Sequence, residues 1–356
     1  MSDVVVGKKL AALSYLGDQL RWRLRKGHVV NVFQEAQRKN PFFTPANIEF
    51  AFRHVINYYL HPDKLRRWIR PYVTGLSSTS PRTVGIVTAG NIPLVGFHDL
   101  LVGYISPHSL QVKLSRNASV LLPWIFETLS RYDPSVKERI HFVDRLRTID
   151  AVIATGSNTS ARYFEYYFRE YPRIIRHTRR SMAIIDANTS DADLEKLGID
   201  IFTYFGLGCR NVSLLWLPKG FHIERLHRAW QSQFASLIEH AKYANNYLYW
   251  KSILEVDRIP HHDFGFVLLK EEELLTSGLG VIHYAWYDDM KEVRRFYKAH
   301  RDQLQCIVCT NRHFCRDSSV KVAAAGKAQL PSLRDYADGV DTMAFLIKIG
   351  TPDSTI

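Results

Sequence analysis

Residues 83–93 read TVGIVTAGNIP, an apolar run followed at once by small and polar residues. The run is rich in β-branched residues and ends at Gly, Asn and Pro, the pattern of a buried strand that leads into a turn. Four further runs share this texture: SLQVKLS (109–115), RIHFVD (139–144), DAVIAT (150–155) and SMAIID (181–186). Strands that alternate with helical stretches predict a parallel sheet with helices on both faces. The predicted fold class is therefore α/β.

The turns after these strands are the candidate binding sites, because ligands of parallel sheets bind at the carboxyl ends of the strands. The turns read AGNIP after the first strand, KLSRN after the second and TGSNTS after the fourth. All three are small, polar and able to donate hydrogen bonds. None of them contains the glycine-rich G-x-G-x-x-G fingerprint, so an orthodox dinucleotide-binding turn is disfavoured.

The first 80 residues have a helical pattern instead. Within FFTPANIEFAFRHVINYYL (42–60), Thr44 is the predicted N-cap and Pro45 the first helical residue, and apolar residues follow at helical spacing. GLSSTSPR (75–82) is a predicted linker or exposed turn. Further apolar runs predict a second α/β domain: GFVLLK (265–270), GVIHYAWY (280–287) and QCIVC (305–309).

FGLGCRN (205–211) is predicted to form a helix-to-strand turn. The preceding segment has Ser190 as its N-cap, with Asp193 three residues later, and carries apolar residues on one helical face. Gly206 is expected to end that helix. VSLLWLP (212–218) then has the pattern of a buried strand.

The thiol in this turn, Cys209, is a candidate nucleophile. A structural cysteine is usually a small apolar filler in a core, whereas Cys209 follows a Gly-x-Gly approach and precedes Arg210. A neighbouring cation increases the thiolate fraction of a cysteine. An inert turn or core cysteine is the alternative interpretation.

Composition and cysteine usage bound the class of protein. The 356 residues are 46% hydrophobic and 23% charged, enough for two or three domains with a sizeable core. Four irregularly spaced cysteines do not form a disulfide framework. The first residues lack a signal-peptide pattern, and no segment approaches the roughly 20 apolar residues of a membrane helix. We expect a cytoplasmic protein in a reducing compartment.

The net charge of +12 indicates a ligand that carries negative charge. Nucleic acid is one such partner, but no zinc finger, helix-turn-helix or aromatic RNA-binding consensus accompanies the scattered arginines. A phosphate-rich small ligand fits the same charge. The cysteines and histidine near the C-terminus lack the paired spacing of a zinc site, so no metal is predicted for Cys306, Cys309, His313 and Cys315.

Four motifs, taken in order, resemble the aldehyde dehydrogenase superfamily: AGNIP, VKLS, ATGS and FGLGC. Members of that superfamily carry an Asn-x-Pro turn, a Lys-x-Ser turn, a Thr-Gly-Ser turn and a Gly-x-x-Cys nucleophile. Longer stretches resemble its acyl-CoA reductase branch, the bacterial bioluminescence-type fatty-acid reductases: AGNIPLVGFHDLL, ATGSNTSARYFEYYF, YFGLGCRNVS and AQLPSLRDYADGVDTMAFL. The resemblance extends from about Val84 to about Phe345 and implies an aldehyde dehydrogenase-like fold.

The resemblance also implies roles for individual residues. Cys209 matches the nucleophile, and Asn91 matches the amide that completes the oxyanion hole with the backbone N–H of the cysteine. The implied cofactor-binding residues are Lys113 and Ser115 at the adenosine ribose or its phosphate, Ser157 in the Thr155-Gly156-Ser157 turn at the pyrophosphate, and Phe264 near the nicotinamide ribose.

Three of these residues have structural alternatives. In the structural alternative, Asn91 is a plain turn residue, because Gly-Asn-x-Pro is a common turn sequence. Lys113 is then a solvated surface lysine. Ser157 would be the N-cap of the helix that follows it, a role compatible with phosphate binding at a helix N-terminus.

One departure from the superfamily bears on the reaction. Aldehyde-oxidising members begin a strand with Glu-Leu-Gly-Gly-Lys, and its glutamate activates the hydrolytic water. The corresponding segment here, RRSMAII (179–185), has no carboxylate. Hydrolysis of an acyl-enzyme is therefore disfavoured, and reduction or transfer of the acyl group is favoured.

The sequence thus predicts an acyl-CoA reductase that converts a fatty acyl thioester to an aldehyde with NADPH or NADH through a thioester on cysteine. Coenzyme A or an acyl carrier protein would be the donor, and an acyl-activating or acyltransferase partner and a homo-oligomer are compatible with it. The alternatives are a cysteine-dependent acyltransferase or thioesterase without hydride transfer, and a basic protein that binds nucleic acid or a carrier protein. The expected domains are an N-terminal helical region (1–80), a nicotinamide cofactor-binding domain (81–185), a catalytic domain (186–325) and a C-terminal return segment (326–356).

Overall fold

A computed structural model describes residues 3–310 and 318–351. The chain divides into two compact units. The first comprises Met1–Thr178 together with Ser332–Ile356, and the second comprises Arg179–Pro331. Each unit contains its own β-sheet, so the two units are described in turn.

The first unit contains a five-stranded, all-parallel sheet in the order β3-β2-β1-β4-β5. Four of its strands confirm the sequence prediction, and the fifth, β5, was not predicted because arginines flank its two isoleucines. The strands are β1 (Thr83–Val87), β2 (Ser109–Lys113), β3 (Ile140–Phe142), β4 (Ala151–Thr155) and β5 (Arg173–Arg176).

The strand order of this sheet places a switch point between β1 and β4. From β1 the chain adds β2 and β3 on one side, and it then returns to add β4 and β5 on the other. Connections of opposite direction leave a crevice at the carboxyl ends of the two central strands, which is where ligands of such sheets bind. The AGN and TGSN turns follow these two strands.

Helices cover this sheet, and its largest core cluster extends from the N-terminal helices to the last one. Thr44 accepts a hydrogen bond from the backbone N–H of Asn47 and Pro45 begins the helix, which confirms the predicted cap. The predicted linker at 75–82 is partly wrong, because its first residues complete a helix. The helices are α1 (Asp3–Arg25), α2 (Val30–Lys39), α3 (Pro45–His54), α4 (Pro62–Ile69), α5 (Val73–Ser78), α6 (Phe97–Ile105), α7 (Leu121–Ser130), α8 (Ser135–Arg139), α9 (Asn158–Tyr167) and, at the C-terminus, α14 (Thr342–Ile349).

The second unit contains a seven-stranded sheet in the order β12-β11-β6-β7-β10-β9-β8. All neighbouring pairs are parallel except the edge pair β8–β9. The strand at 180–184, which the sequence placed with the first domain, pairs here with β7 and β11. The strands are β6 (Arg180–Ile184), β7 (Val212–Pro218), β8 (His261–Asp263), β9 (Leu268–Glu271), β10 (Val281–Tyr287), β11 (Leu304–Cys309) and β12 (Lys321–Ala323).

Four helices of the second unit are α10 (Asp191–Phe202), α11 (Glu224–Phe234), α12 (Ala241–Val256) and α13 (Met290–His300). Ser190 accepts a hydrogen bond from the backbone N–H of Asp193, which confirms the predicted cap of α10. None of the helices in the described ranges is long and apolar enough to cross a membrane.

A buried ion pair lies within the first unit at the end of β5. The guanidinium of Arg176 donates to both carboxylate oxygens of Asp99 on α6, at 2.6 and 2.8 Å. It also donates to the hydroxyl of Thr342 on α14, at 3.0 Å. Both charged side chains are at least nine-tenths buried. The pair therefore joins the sheet to an early helix and to the last helix.

Replacement of Arg176 by Met should lower the free energy of unfolding by about 3–5 kcal/mol, because it leaves the Asp99 carboxylate buried without its cation. Denaturant titration measures the loss. Arg53→Met is the matched control, since Arg53 forms an exposed pair with Glu49 and its loss should cost at most about 1 kcal/mol. Equal losses in the two variants would contradict the structural role of Arg176.

Candidate active site

The FGLGCRN turn is held by the side chain of Asn211, which is 2% exposed. Its amide nitrogen lies 2.8–3.1 Å from the carbonyl oxygens of Asp200, Ile201 and Thr203, at the end of α10. Its amide oxygen accepts from the backbone N–H of Gly208 at 2.8 Å. One side chain thus caps the last carbonyls of α10 and fixes the residue before Cys209.

The backbone of this turn has an unusual conformation. Tyr204 and Phe205 have φ of 57° and Gly206 has φ of 77°, three consecutive residues in the left-handed region. Left-handed non-glycine residues cost about 1–3 kcal/mol each and persist only where their surroundings impose them. The helix ends at Phe202, so the expectation that Gly206 ends it is wrong by four residues. The side chains of Tyr204 and Phe205 are buried and hold the turn in place.

Cys209 itself is partly exposed. Its carbonyl oxygen accepts from the hydroxyl of Ser181 on β6 at 2.9 Å. The same hydroxyl lies 3.1 Å from the sulfur of Cys306 on β11. Ser181 therefore ties the Cys209 turn to two neighbouring strands of the sheet.

Cys306 is a second thiol near the candidate nucleophile, and its position could not be inferred from its place in QCIVC. Its side chain is fully buried, and burial raises the pKa of the thiol to about 11. At neutral pH Cys306 is therefore protonated and is a poor nucleophile. Of the two free thiols in the described ranges, Cys209 is the reactive candidate.

The remaining cysteines bear on the zinc and redox expectations. Cys309 is disulfide-bonded, whereas the sequence led us to expect a reducing compartment without a disulfide framework. His313 and Cys315 lie outside the described residues. Within the described ranges, no three His, Cys, Asp or Glu side chains are grouped so that they could hold a metal ion.

A small cavity of about 70 Å³ adjoins the FGLGCRN turn. The lining includes Phe205, Gly206 and Leu207 from the turn, Arg180 from β6 and Tyr243 from α12. Most of the other lining side chains are apolar. Ligand pockets for whole small molecules are usually 300–1,000 Å³, so this cavity has room for a small group only.

The first unit presents the turns that the sequence associated with a cofactor. Gly90, after β1, lies against Ser115, after β2: a Cβ atom on Gly90 would be 2.5 Å from the Ser115 hydroxyl oxygen. The carbonyl oxygen of Gly90 accepts from the Asn40 side chain at 3.1 Å. The close approach therefore requires glycine at position 90, and it brings the AGN and KLS turns together.

Asn91 is exposed, directly after this contact. It belongs to the first unit, whereas Cys209 belongs to the second. Its role in an oxyanion hole remains a proposal.

Lys113 is exposed at the carboxyl end of β2, and its ammonium group donates to the carbonyl oxygen of Asp144 at 2.9 Å. Next to it, the carboxyl ends of β2 and β3 border an open depression. Arg145 and Arg147 line this depression, and neither forms an ion pair with a carboxylate among the described residues. The side chain of Gln111 bonds both backbone groups of Arg147, at 2.6 and 2.8 Å. Neither arginine was predicted as a site residue, although both belong to the RLR run at 145–147.

The Thr155-Gly156-Ser157 turn follows β4 and begins α9. Ser157 accepts from the backbone N–H of Ser160 at 3.2 Å and is the helix N-cap, so this structural role is confirmed. The backbone N–H of Gly156 donates to the carbonyl oxygen of Arg176 at 3.3 Å. A Cβ on Gly156 would be 2.8 Å from that of Ser160, so the turn again depends on glycine.

Phe264 lies in the second unit, in the core rather than on a surface. It is 6% exposed and stacks on His227, with ring centroids 4.6 Å apart. Its backbone N–H donates to Val267 at 3.0 Å. These contacts give Phe264 a packing role, and its predicted place near a nicotinamide ribose stays a prediction.

The family described as LuxC acyl-CoA reductase matches residues 33–229, more than half of the chain. The chain belongs to the LuxC acyl-CoA reductase family. Among curated proteins no match is found.

Solved structures share the fold of this LuxC-family chain at low sequence identity. An acetylating aldehyde dehydrogenase from Geobacillus thermoglucosidasius is 12% identical to this chain, with a TM-score of 0.66. The alignment covers 97% of this chain and 90% of that enzyme. A Bacillus cereus aldehyde dehydrogenase in complex with NAD+ is 12% identical with a TM-score of 0.61, covering 90% and 76%.

A Mycobacterium tuberculosis aldehyde dehydrogenase complexed with NAD+ is 11% identical, with a TM-score of 0.61 and coverage of 89% and 77%. The predicted aldehyde dehydrogenase-like α/β fold and the acyl-CoA reductase resemblance are both confirmed. Family and fold indicate an oxidoreductase that acts on aldehyde or acyl groups.

Asn211→Ala should lower the free energy of unfolding by about 3 kcal/mol, because it leaves the Gly208 N–H and the carbonyls at the end of α10 without their partner. Denaturant titration measures this loss. The matched control is Asn246→Ala, since Asn246 is a partly exposed asparagine whose side chain makes one exposed hydrogen bond, to a carbonyl of its own helix; its loss should stay within about 0.5 kcal/mol. Similar losses would show that Asn211 does not hold the turn.

Proposed function

We propose that this LuxC-family protein reduces an acyl-CoA thioester to an aldehyde through an acyl group carried on Cys209. The observation that supports it most is the partly exposed thiol of Cys209 in a turn that Asn211 and Ser181 fix. The other free thiol, Cys306, is buried and protonated. A fixed, accessible thiol can accept an acyl group from a thioester and later release it.

The covalent steps follow from the chemistry of the thiolate. The Cys209 sulfur attacks the thioester carbonyl carbon, a new carbon–sulfur bond forms, and the bond to coenzyme A breaks with release of its thiolate, which takes up a proton. A nicotinamide cofactor, when bound, supplies the hydride that reduces the acyl group. The oxyanion that this reduction leaves on the carbon bound to Cys209 then re-forms the carbonyl as the carbon–sulfur bond breaks, which gives the aldehyde and restores the thiolate.

Asn91 is proposed to stabilise the negative charge that forms on the former carbonyl oxygen. Its side-chain amide, together with the backbone N–H of Cys209, would donate hydrogen bonds to that oxygen. Loss of one such donor typically costs about 10²–10³ in turnover. The exposure of Asn91 after the rigid Gly90 contact supports a role at a site rather than in the core.

The absence of a base in RRSMAII supports reduction over hydrolysis. A thioester on cysteine is hydrolysed when a carboxylate activates a water molecule beside it. The segment supplies Arg179 and Arg180 instead, and neither activates water by accepting its proton. The acyl-enzyme is therefore expected to persist until it is reduced.

The residues of the first unit fit a nicotinamide dinucleotide. Gly90 follows β1, one of the two strands at the switch point of the sheet, and lies against Ser115, which follows β2. The α9 N-terminus, with Ser157 as its cap, offers backbone N–H groups to a pyrophosphate. Lys113 and Ser115 would contact the adenosine ribose, and Thr155 and Gly156 complete the turn beside the phosphates.

Cys209→Ser should abolish aldehyde formation and nicotinamide oxidation with acyl-CoA, because the serine hydroxyl is a far weaker nucleophile at neutral pH. The loss of absorbance of the reduced nicotinamide measures cofactor oxidation, and aldehyde analysis measures the product. The matched control is Cys306→Ala, which removes the buried thiol and should leave most of the turnover. Acyl transfer without nicotinamide consumption in the wild type would favour the acyltransferase or thioesterase alternative, and unchanged turnover in Cys209→Ser would overturn the proposal.

We propose further that the preferred cofactor is NADPH, with Arg145 and Arg147 at its 2′-phosphate. Both arginines line the depression beside β2 and lack carboxylate partners among the described residues. Arginine binds phosphate through paired, charge-assisted hydrogen bonds. The Gln111 contacts hold the backbone of Arg147 in place.

Arg145→Gln with Arg147→Gln should raise the KM for NADPH by about 10–100-fold, the worth of a charge-assisted hydrogen bond, and leave the KM for NADH nearly unchanged. Steady-state kinetics with both cofactors measures the difference. The control is Arg173→Gln, an exposed arginine at the opposite end of the strands, which begins β5. Equal effects on the two cofactors would refute recognition of the 2′-phosphate.

A further inference from the structure

Arg180 brings a partly buried cation to the neighbourhood of Cys209. It is the first residue of β6, and the next residue, Ser181, donates its hydroxyl to the Cys209 carbonyl oxygen. The Arg180 side chain lines the cavity together with Gly206 and Leu207 of the FGLGCRN turn. One strand end thus supplies both the hydrogen bond that holds the turn and the charge beside it.

The side chain of Arg180 is partly buried. Its Nε atom is buried and has no hydrogen-bond partner among the described residues. No carboxylate among residues 3–310 and 318–351 forms an ion pair with it. Burial lowers the pKa of this guanidinium, and the charge of Cys209 opposes that effect. Partial burial without a counter-ion makes this charge less favourable than it is in water, so an anion beside it would be stabilised.

Three other ionisable groups near Cys209 among the described residues do not supply that anion. Arg210, in the same turn, carries a second positive charge. Cys306 on β11 is protonated, since burial raises its pKa to about 11. The Asp200 carboxyl on α10 accepts from the backbone N–H groups of Gly326 and Ala328, at 2.6 and 2.8 Å. Burial raises the pKa of that carboxyl to about 7, so it is partly neutral at neutral pH.

We propose that Arg180 is a positioning residue that keeps the sulfur of Cys209 in its thiolate form. The inference rests on the proposed function only in taking Cys209 as the nucleophile. This role explains how the Cys209 thiol loses its proton although the RRSMAII segment supplies no carboxylate base. The cation stabilises the thiolate that forms, and solvent takes the proton. The thiolate in turn provides the counter-ion for the partly buried guanidinium.

A cation instead of a carboxylate beside Cys209 also distinguishes this site from that of a hydrolytic enzyme. A carboxylate beside Cys209 would disfavour the thiolate and would activate water. A guanidinium favours the thiolate and does not accept a proton. A guanidinium in place of a carboxylate beside Cys209 therefore promotes acylation and leaves the acyl-enzyme without a base for hydrolysis.

The test is the pH dependence of Cys209 alkylation by iodoacetamide, followed by mass spectrometry of the peptide that contains Cys209. In Arg180→Met, which keeps the apolar stem and removes the charge, the midpoint of the rate profile should rise by about one pH unit or more, so that alkylation at pH 7 slows by about tenfold. Arg180→Lys keeps a positive charge and should stay closer to the wild type. A merely structural role of Arg180 would not shift the midpoint in this order.

Arg179→Gln is the matched control, because it removes one positive charge from the neighbouring residue, whose guanidinium donates to the Leu304 carbonyl at 3.2 Å. Its midpoint should move by much less than that of Arg180→Met. Thermal unfolding checks that each variant is folded. If Arg180→Met does not fold, Arg180→Gln and Arg180→Lys give the same comparison of neutral with charged side chains.

An unchanged midpoint in a folded neutral variant would overturn the role of Arg180. Alkylation needs no substrate, so this result is separate from the test of the reductase. A shifted midpoint with no acyl-enzyme in the wild type would refute the proposed function and leave the role of Arg180 standing. In the active enzyme, the kcat of Arg180→Met should fall at pH 7 and recover toward the wild-type value at about pH 9, where the free thiol ionises without help.

Discussion

The Asn211 side chain is the contact on which the geometry of the candidate site depends. It caps the carbonyls at the end of α10 and holds the N–H of Gly208. Together with the buried side chains of Tyr204 and Phe205, it offsets the strain of three consecutive left-handed residues. Because Cys209 lies between Gly208 and Asn211, the position of the thiol follows directly from this clamp.

The sheets explain why the remaining candidate residues lie where they do. The AGN, KLS and TGSN turns all follow parallel strands of the first unit, and parallel strands present their carboxyl ends at one edge. Glycine at position 90 permits the approach of Ser115, and the arginines after β3 add positive charge at the same edge. In the second unit, β6 contributes Arg180 and Ser181 to the surroundings of Cys209. Charge and hydrogen bonding at each site therefore come from strand ends.

Much of this architecture was predictable from local patterns. The strands of the first sheet, the caps at Thr44 and Ser190, and the turn that carries Cys209 all follow from residues that are neighbours in the sequence. β5 was missed because arginines flank its short apolar run, and the end of α10 was misplaced because Asn211, nine residues later, provides its cap. Cys306 and Arg180 could not be assigned to the site, since strand pairing alone brings β11 and β6 beside the thiol.

The central claim is that Cys209 carries the acyl group, and a mass spectrum of the protein after incubation with a series of acyl-CoAs tests it most directly. Without a reductant, the account predicts one added acyl mass, located on the peptide that contains Cys209. That mass should disappear when reduced nicotinamide cofactor is added, with release of an equal amount of aldehyde. An acyl group on any other residue, or aldehyde formation with no acyl group on Cys209 at any stage, would contradict the account.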